Sequence, residues 1–184
     1  RLERLAQLLP SSCDILVTDV RTVDAAFDAM SDLGARLERT TQAESWVART
    51  QEAWGDSKPM VGRAAYAVWA KPWMAAGPDT FIHDVMRHWG IHNAVADLAS
   101  EELMQTGRYP SLGDDEASGV QHARRWLLPS EPFPFGAKHL DALENAHSDH
   151  QFVLVDGEAF SWYGTRMWHA AAHFEKVRRW MTEC

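Results

Sequence analysis

The longest regular pattern of apolar positions runs from residue 22 to residue 54. Val23, Ala26, Phe27, Met30, Leu33 and Leu37 recur at steps of three and four, and Ala43, Trp46, Val47, Thr50 and Trp54 resume the stripe. That spacing sets them on one face of an α-helix. Thr22 is suited to cap its start, and Asp24 falls in the first turn, where exposed N–H groups favour an anion. Nothing stops the pattern before Gly55, and the first proline beyond it is Pro59. One unbroken helix here would span roughly 50 Å at about 1.5 Å per residue, a rod joining two bodies. Gly34 and the polar run 38–42 are where it would kink or divide into two helices.

Before the stripe, residues 1–9 read as a helix end with Leu2, Leu5, Leu8 and Leu9 on one side. A turn at 10–12 leads to a strand at 13–18 (CDILVT), rich in β-branched and aliphatic residues. Beyond the stripe, residues 63–69 (RAAYAVW) read as a strand whose continuous apolar character predicts a parallel sheet covered on both faces. A loop at 71–79 follows. Residues 80–89 form a helix with Phe81, Ile82, Val85, Met86 and Trp89 inward, and Gly90 is placed to end it. Residues 92–107 are mixed, and 112–115 open a short helix or turn that 116–121 continue. A strand at 125–128 gives way to a loop stiffened by three prolines at 129–134. Then come a helix at 139–146, a strand at 152–155, and a last helix at 162–181 with Met167, Ala171, Phe174, Val177 and Met181 on its face.

Strand, loop and helix thus alternate from residue 63 onward. The fold class is α/β: a long spanning helix followed by an open, mostly parallel sheet lobe with helices on both faces. Such sheets hold ligands outside the carboxyl ends of their strands, here the loops 71–79, 129–135 and 156–162.

A formal net charge of -8 argues against a general nucleic-acid binder, which carries a basic stripe. The two cysteines, Cys13 and Cys184, make neither a disulfide framework nor a CxxC motif. No apolar run approaches the roughly 18 residues of a membrane-crossing helix. The chain opens on Arg1 inside an apparent helix, which suggests a processed chain or an incomplete piece. Nine tryptophans are a heavy share, because an indole N–H needs a partner when buried.

Four groups of residues bear on chemistry. Trp73, Tyr109, Phe133, Phe135, Trp162 and Tyr163 stand in or beside loops, as an aromatic cleft or as ordinary packing between elements. His169 and His173 lie four apart on the last helix, but no HExxH or carboxylate shell accompanies them, so no metal site is assigned. Asp156, Ser161 and His169 assemble a triad only on paper, without a GxSxG elbow, a GxGxxG or a P-loop, and the chain is read as no enzyme. Asp114, Asp115 and Glu116 suit a helix start, as a solvated cap or as an anchor for a partner's arginines.

Several segments resemble one family. Residues 70–94 read AKPWMAAGPDTFIHDVMRHWGIHNA, with a P-x-M-x-A-G-x-x-T-F-I core. Arg108-Tyr109-Pro110 is followed by residues 112–116, and residues 128–135 (LPSEPFPF) and 155–166 (VDGEAFSWYGTR) are closer still. These resemble the cobalamin-, haem- and siderophore-binding proteins of ABC importers, in their cobalamin-type, helical-backbone-metal-receptor branch. The resemblance implies two α/β lobes joined by a long rigid helix, with ligand in the cleft between them. Residues 1–21 would then be the end of a first lobe, 22–54 the interlobe helix and 60–184 the second lobe. It implies a cleft aromatic at Tyr109 and another, Trp162, at the cleft mouth. It places the acid that docks on the membrane permease at Asp115, where the family usually has Glu, with Glu116 as competitor. The implied cargo is a corrinoid, carried and not covalently held, with haem or a ferric siderophore as rivals. The implied place is periplasmic or extracellular at a membrane. An anionic siderophore would want free cations, and Lys71, Arg108, Lys138 and Arg166 are the candidates. A soluble sensor or an enzyme reusing the same loops is the alternative. Most of a first lobe would precede Arg1 in a complete member.

Overall fold

The computed structural model describes residues 4, 7–10, 12–98 and 107–183. Parts of the helix end read at 1–9 and of the mixed segment 92–107 fall outside these, as does Cys184. Among the described residues no helix is long and apolar enough to cross a membrane.

The stripe over 22–54 forms two helices and not one rod. Helix α1 is Val23–Arg36 and α2 is Thr40–Trp54. Glu38, with φ 55, turns the chain between them. Beside that turn the helices touch, since a Cβ on Gly34 would stand 2.2 Å from the Ala43 Cβ. At the far ends Val23 and Phe27 line one depression together with Gln51 and Trp54, so the two helices run antiparallel. The hairpin has a physical reason: Val23, Ala26, Phe27 and Trp54 belong to one buried cluster, which a straight rod would pull apart. Thr22 caps α1 by accepting the Ala25 N–H at 3.1 Å. The buried Asp84 carboxylate accepts the Val23 N–H at 2.8 Å, satisfying another free donor of that helix start.

The strand expected at 13–18 does not form. Residues 13–20 run without secondary structure, and no described strand pairs with them. A single extended segment cannot satisfy its backbone groups alone.

The sheet contains β1 (Gly62–Ala70), β2 (Trp73–Ala75), β3 (Ile91–Asn93), β4 (Ser111–Gly113), β5 (Arg125–Pro129) and β6 (Gln151–Val155). Their order is β4-β2-β1-β5-β6, with β3 beside the first residues of β1. β1 runs parallel to β3 and β5, and β5 parallel to β6. The β1–β2 and β2–β4 pairs are antiparallel. Thus the 71–79 loop carries a short strand, and residues 111–113 are a strand and not the start of a helix. Three-residue strands leave too short a pattern to read.

Helices α3 (Phe81–His88), α4 (Glu116–Gly119), α5 (Ala137–Ala146), α6 (Gly157–Ser161) and α7 (Arg166–Glu183) complete the chain. The predicted helix over 162–181 begins only at Arg166, after a turn at Gly164, whose φ is 93. Alternation along β1 sorts the two faces. Ala64 and Tyr66 join α1, α2, α3 and α7 in one cluster around Trp54, Trp89 and Phe174. Ala65 and Ala67 join Trp73, Trp126, Leu128, Phe152 and the α5 residue Leu143 in the other. The sheet is covered on both faces, as its apolar strands required.

Candidate functional site

The carboxyl ends of β1, β5 and β6 point to one edge of the sheet, and the loops there are built by specific polar contacts. The Gly77 N–H donates to the Arg108 carbonyl at 2.8 Å, and the Ala75 N–H to the Pro110 carbonyl at 3.1 Å. These bonds hold Tyr109 between two tied backbones. Buried Asn93 donates to the Ala76 carbonyl at 2.9 Å and braces the loop from behind. After β5, the Ser130 hydroxyl accepts the Gly157 N–H at 3.0 Å. A Cβ on Gly157 would lie 2.7 Å from the Glu131 side chain and 2.8 Å from its backbone. Only glycine lets the two loops meet there.

The six aromatics of the sequence reading divide. Tyr109, Trp162 and Tyr163 are 41%, 59% and 40% exposed at this edge. Tyr163 packs edge-on against Phe81 and shares a 2.7 Å hydrogen bond with the Thr18 hydroxyl. Phe133 is half-buried against Trp69 and Phe135. Trp73 and Phe135 are a correction. They are 1% and 6% exposed, pack on each other and, through Trp73, on Trp126, and present no surface to a cleft.

Arg108, Asp156, Ser161 and Arg166 are legible as polar groups in the sequence, but the ion pairs that tie this edge together are not. Asp19 and Arg21 stand just before α1. In the fold Arg21 pairs with Asp19 at 2.6 Å and with Asp79 at 2.7 Å. Arg108 pairs with Asp19 at 2.7 Å and lies 3.7 Å from Asp79. Hydrogen bonds from Arg21, then from Arg108, hold the Asp19 carboxyl down at about 2. Arg166 pairs with Asp156 at 2.7 Å and with Glu158 at 3.1 Å. Glu131 accepts the Trp162 indole N–H and, at 3.2 Å, the Ser161 hydroxyl. Tyr66 is buried, and among the described residues its hydroxyl has no hydrogen-bond partner. Burial first, then the negative fields of Glu131 and Asp156, push its phenol well above the usual value.

The remaining candidates fall into structural roles. The His173 Nε2 accepts the Asp156 N–H at 3.2 Å, and burial pushes its imidazole below the usual value. His169 is exposed and lies against Trp168. Among the described residues no group of three His, Cys, Asp or Glu could hold a metal. The Ser161 hydroxyl also donates to the Gly157 carbonyl at 2.6 Å, the bond of a helical serine and not of a nucleophile facing His169. Asp115 caps α4, accepting from the Ser118 N–H at 2.9 Å and its hydroxyl at 2.7 Å. These bonds hold its carboxyl below the usual value. Glu116 follows it, half-buried.

At the opposite, amino end of the strands lies a cavity of about 720 Å³ lined by Arg63, Arg124, Arg125, His122, Asp149 and His150, among others. It contains none of the residues of the carboxyl edge.

No protein-family model matches the chain, and no curated protein matches it. Solved structures do. A periplasmic heme-binding protein, BhuT, in complex with two hemes aligns with TM-score 0.68 at 13% identity, over 98% of this chain and 70% of that one. The periplasmic vitamin B12 binding protein BtuF of Vibrio cholerae aligns with TM-score 0.63 at 14% identity, over 100% and 70%. A possible iron-binding (periplasmic solute-binding) protein from Staphylococcus epidermidis aligns with TM-score 0.62 at 18% identity, over 97% and 69%. The fold is therefore that of the class III periplasmic binding proteins. The chain spans about seven tenths of the length of each of these three.

Proposed function

We propose that this chain is part of the substrate-binding component of an ABC importer, and that its carboxyl edge is one wall of a cleft for a corrinoid. The observation that carries the reading is the convergence of three exposed rings, Tyr109, Trp162 and Tyr163, on the carboxyl edge of this sheet. The fold is shared with proteins named for binding vitamin B12 and heme. Exposed aromatics suit a large, flat, partly apolar ligand, and a few polar groups around them fix its orientation. In this reading residues 60–184 are the second lobe and 1–21 belong to a first lobe. The α1–α2 hairpin stands between them, with α2 alone as the interlobe helix. Asp115 and Glu116 then offer the acid that meets arginines of the permease, and the protein works outside the cytoplasmic membrane. Haem is the second reading, favoured by the fit to BhuT.

The test is a titration of this chain, and of the longest natural chain that contains it, with cyanocobalamin and with haem. Tryptophan fluorescence is read against an absorbance control. Saturable 1:1 quenching by cyanocobalamin supports the corrinoid reading, and saturation by haem alone moves the assignment to haem. A folded longest chain that answers neither overturns both.

A further inference from the structure

The charge at the carboxyl edge is unevenly matched. Three guanidinium groups, Arg21, Arg108 and Arg166, are each engaged by carboxylates of the chain itself: Asp19, Asp79, Asp156 and Glu158. Arg108 and Arg166, two of the cations that an anionic cargo would need, are thus already taken. Glu131 is different. Among the described residues its partners are neutral donors, the Trp162 indole and the Ser161 hydroxyl. Its position is fixed by close packing on Gly157. Among the described residues five carboxylates therefore face three cations around the exposed rings, and the acid that pairs with no cation there sits directly on Trp162.

We infer that Glu131 is the selectivity residue of this wall. It orients the Trp162 indole and admits a chelate rimmed with neutral N–H donors, such as carboxamides, while it rejects one rimmed with carboxylates. The inference rests on the reading of this edge as the wall of a corrinoid cleft and deepens it. A carboxylate accepts a hydrogen bond from an amide N–H as a charge-assisted bond, which is stronger than a neutral one. A ligand carboxylate brought to the same place meets a like charge in a partly desolvated setting, where screening is weak. Specificity then comes from a repulsive element as much as from an attractive one.

Two corrins with the same ring and different rims separate these effects: cobinamide, whose rim carries amides, and cobyrinic acid, whose rim carries carboxylates. Dissociation constants for both are measured on the longest natural chain, with the wild type, Glu131→Gln and Glu131→Ala, each checked for an unchanged far-ultraviolet spectrum. The wild type favours cobinamide by about tenfold or more, the size of one charge–charge contact in a partly buried site. Glu131→Gln keeps an acceptor for the indole but removes the charge. It strengthens cobyrinic acid and weakens cobinamide a few-fold, so the ratio shrinks by about tenfold. Glu131→Ala also frees the indole and weakens both ligands. Binding of both corrins with a ratio that Glu131→Gln leaves unchanged overturns the inference and leaves the corrinoid reading standing. Failure of the folded wild type to bind either corrin overturns the corrinoid reading, and the inference with it.

Discussion

Trp73 and Trp162 look alike along the chain, for each follows a strand in a short polar stretch broken by proline or glycine. In the fold they are opposites. Trp73 is 1% exposed and lies in a slot walled by Trp126 and Phe135. A Cβ on Gly119 would stand 2.3 Å from its ring. Trp162 is 59% exposed, and its one polar atom is tied to Glu131. The difference comes from β2. That three-residue strand folds back antiparallel on β1 and carries Trp73 under the sheet, whereas the chain after β6 enters α6 and leaves Trp162 at its end. An aromatic in a loop stays exposed to a partner only when no neighbouring strand claims it for the core.

The largest effect that sharpens this contrast is on stability. Trp73→Ala removes a buried ring from a close-packed slot and is expected to cost about 3–5 kcal/mol. Trp162→Ala, on the surface, is expected to stay within about 0.5 kcal/mol. Urea denaturation of both variants measures this, and equal losses would break the contrast. The next effect is on binding. Truncating Trp162 is expected to weaken the bound chelate by about tenfold, the worth of one good aromatic contact at roughly 1.4 kcal/mol. A Trp162→Phe variant should recover part of that loss in the same titration.

The sequence was most legible where a period was long. The strand β1, the helix α3 and the inward face of α7 follow from apolar spacing, and four of the five residues expected on that last face are buried. The 22–54 stripe was read correctly as helical. Its turn was not fixed by spacing, because Gly34 and Glu38 permit a bend without dictating its angle. The segment 13–18 had strand composition, but pairing depends on a neighbour and not on propensity alone. The site was half legible. Exposed Tyr109, Trp162 and Tyr163 could be named from their loops. The Asp19–Arg21–Asp79–Arg108 network could not, because its members are separated by up to 89 positions and meet only once the loops are folded. Volume would have misled as well, since the amino-end cavity is lined by polar side chains and holds none of the exposed rings.

The smallest effect tests whether the edge, unlike the Trp73 slot, responds to mild acid. His173 accepts the Asp156 N–H, and burial holds its folded pKa below the unfolded 6.5. Asp156 caps α6 and pairs with Arg166, so the bond supports the turn that carries Trp162. Asp156 draws the imidazole pKa upward, while Lys176 and Arg166 oppose that pull. The folded state therefore binds fewer protons than the unfolded chain as pH drops below 6.5. The stability from neutral His173 is present above that value and declines as pH falls towards the folded pKa. His83 and His88 are lowered by burial too, so the global curve mixes three histidines. Hydrogen exchange at the Asp156 amide isolates one of them. Exchange at that amide should quicken between about pH 7 and pH 5 relative to the amides around Trp73, after correction for the intrinsic pH dependence of exchange. His173→Gln, which keeps an acceptor that does not protonate there, should remove that difference. A difference that survives in His173→Gln would place the acid response elsewhere on the edge, and none in the wild type would make the two regions alike in this respect.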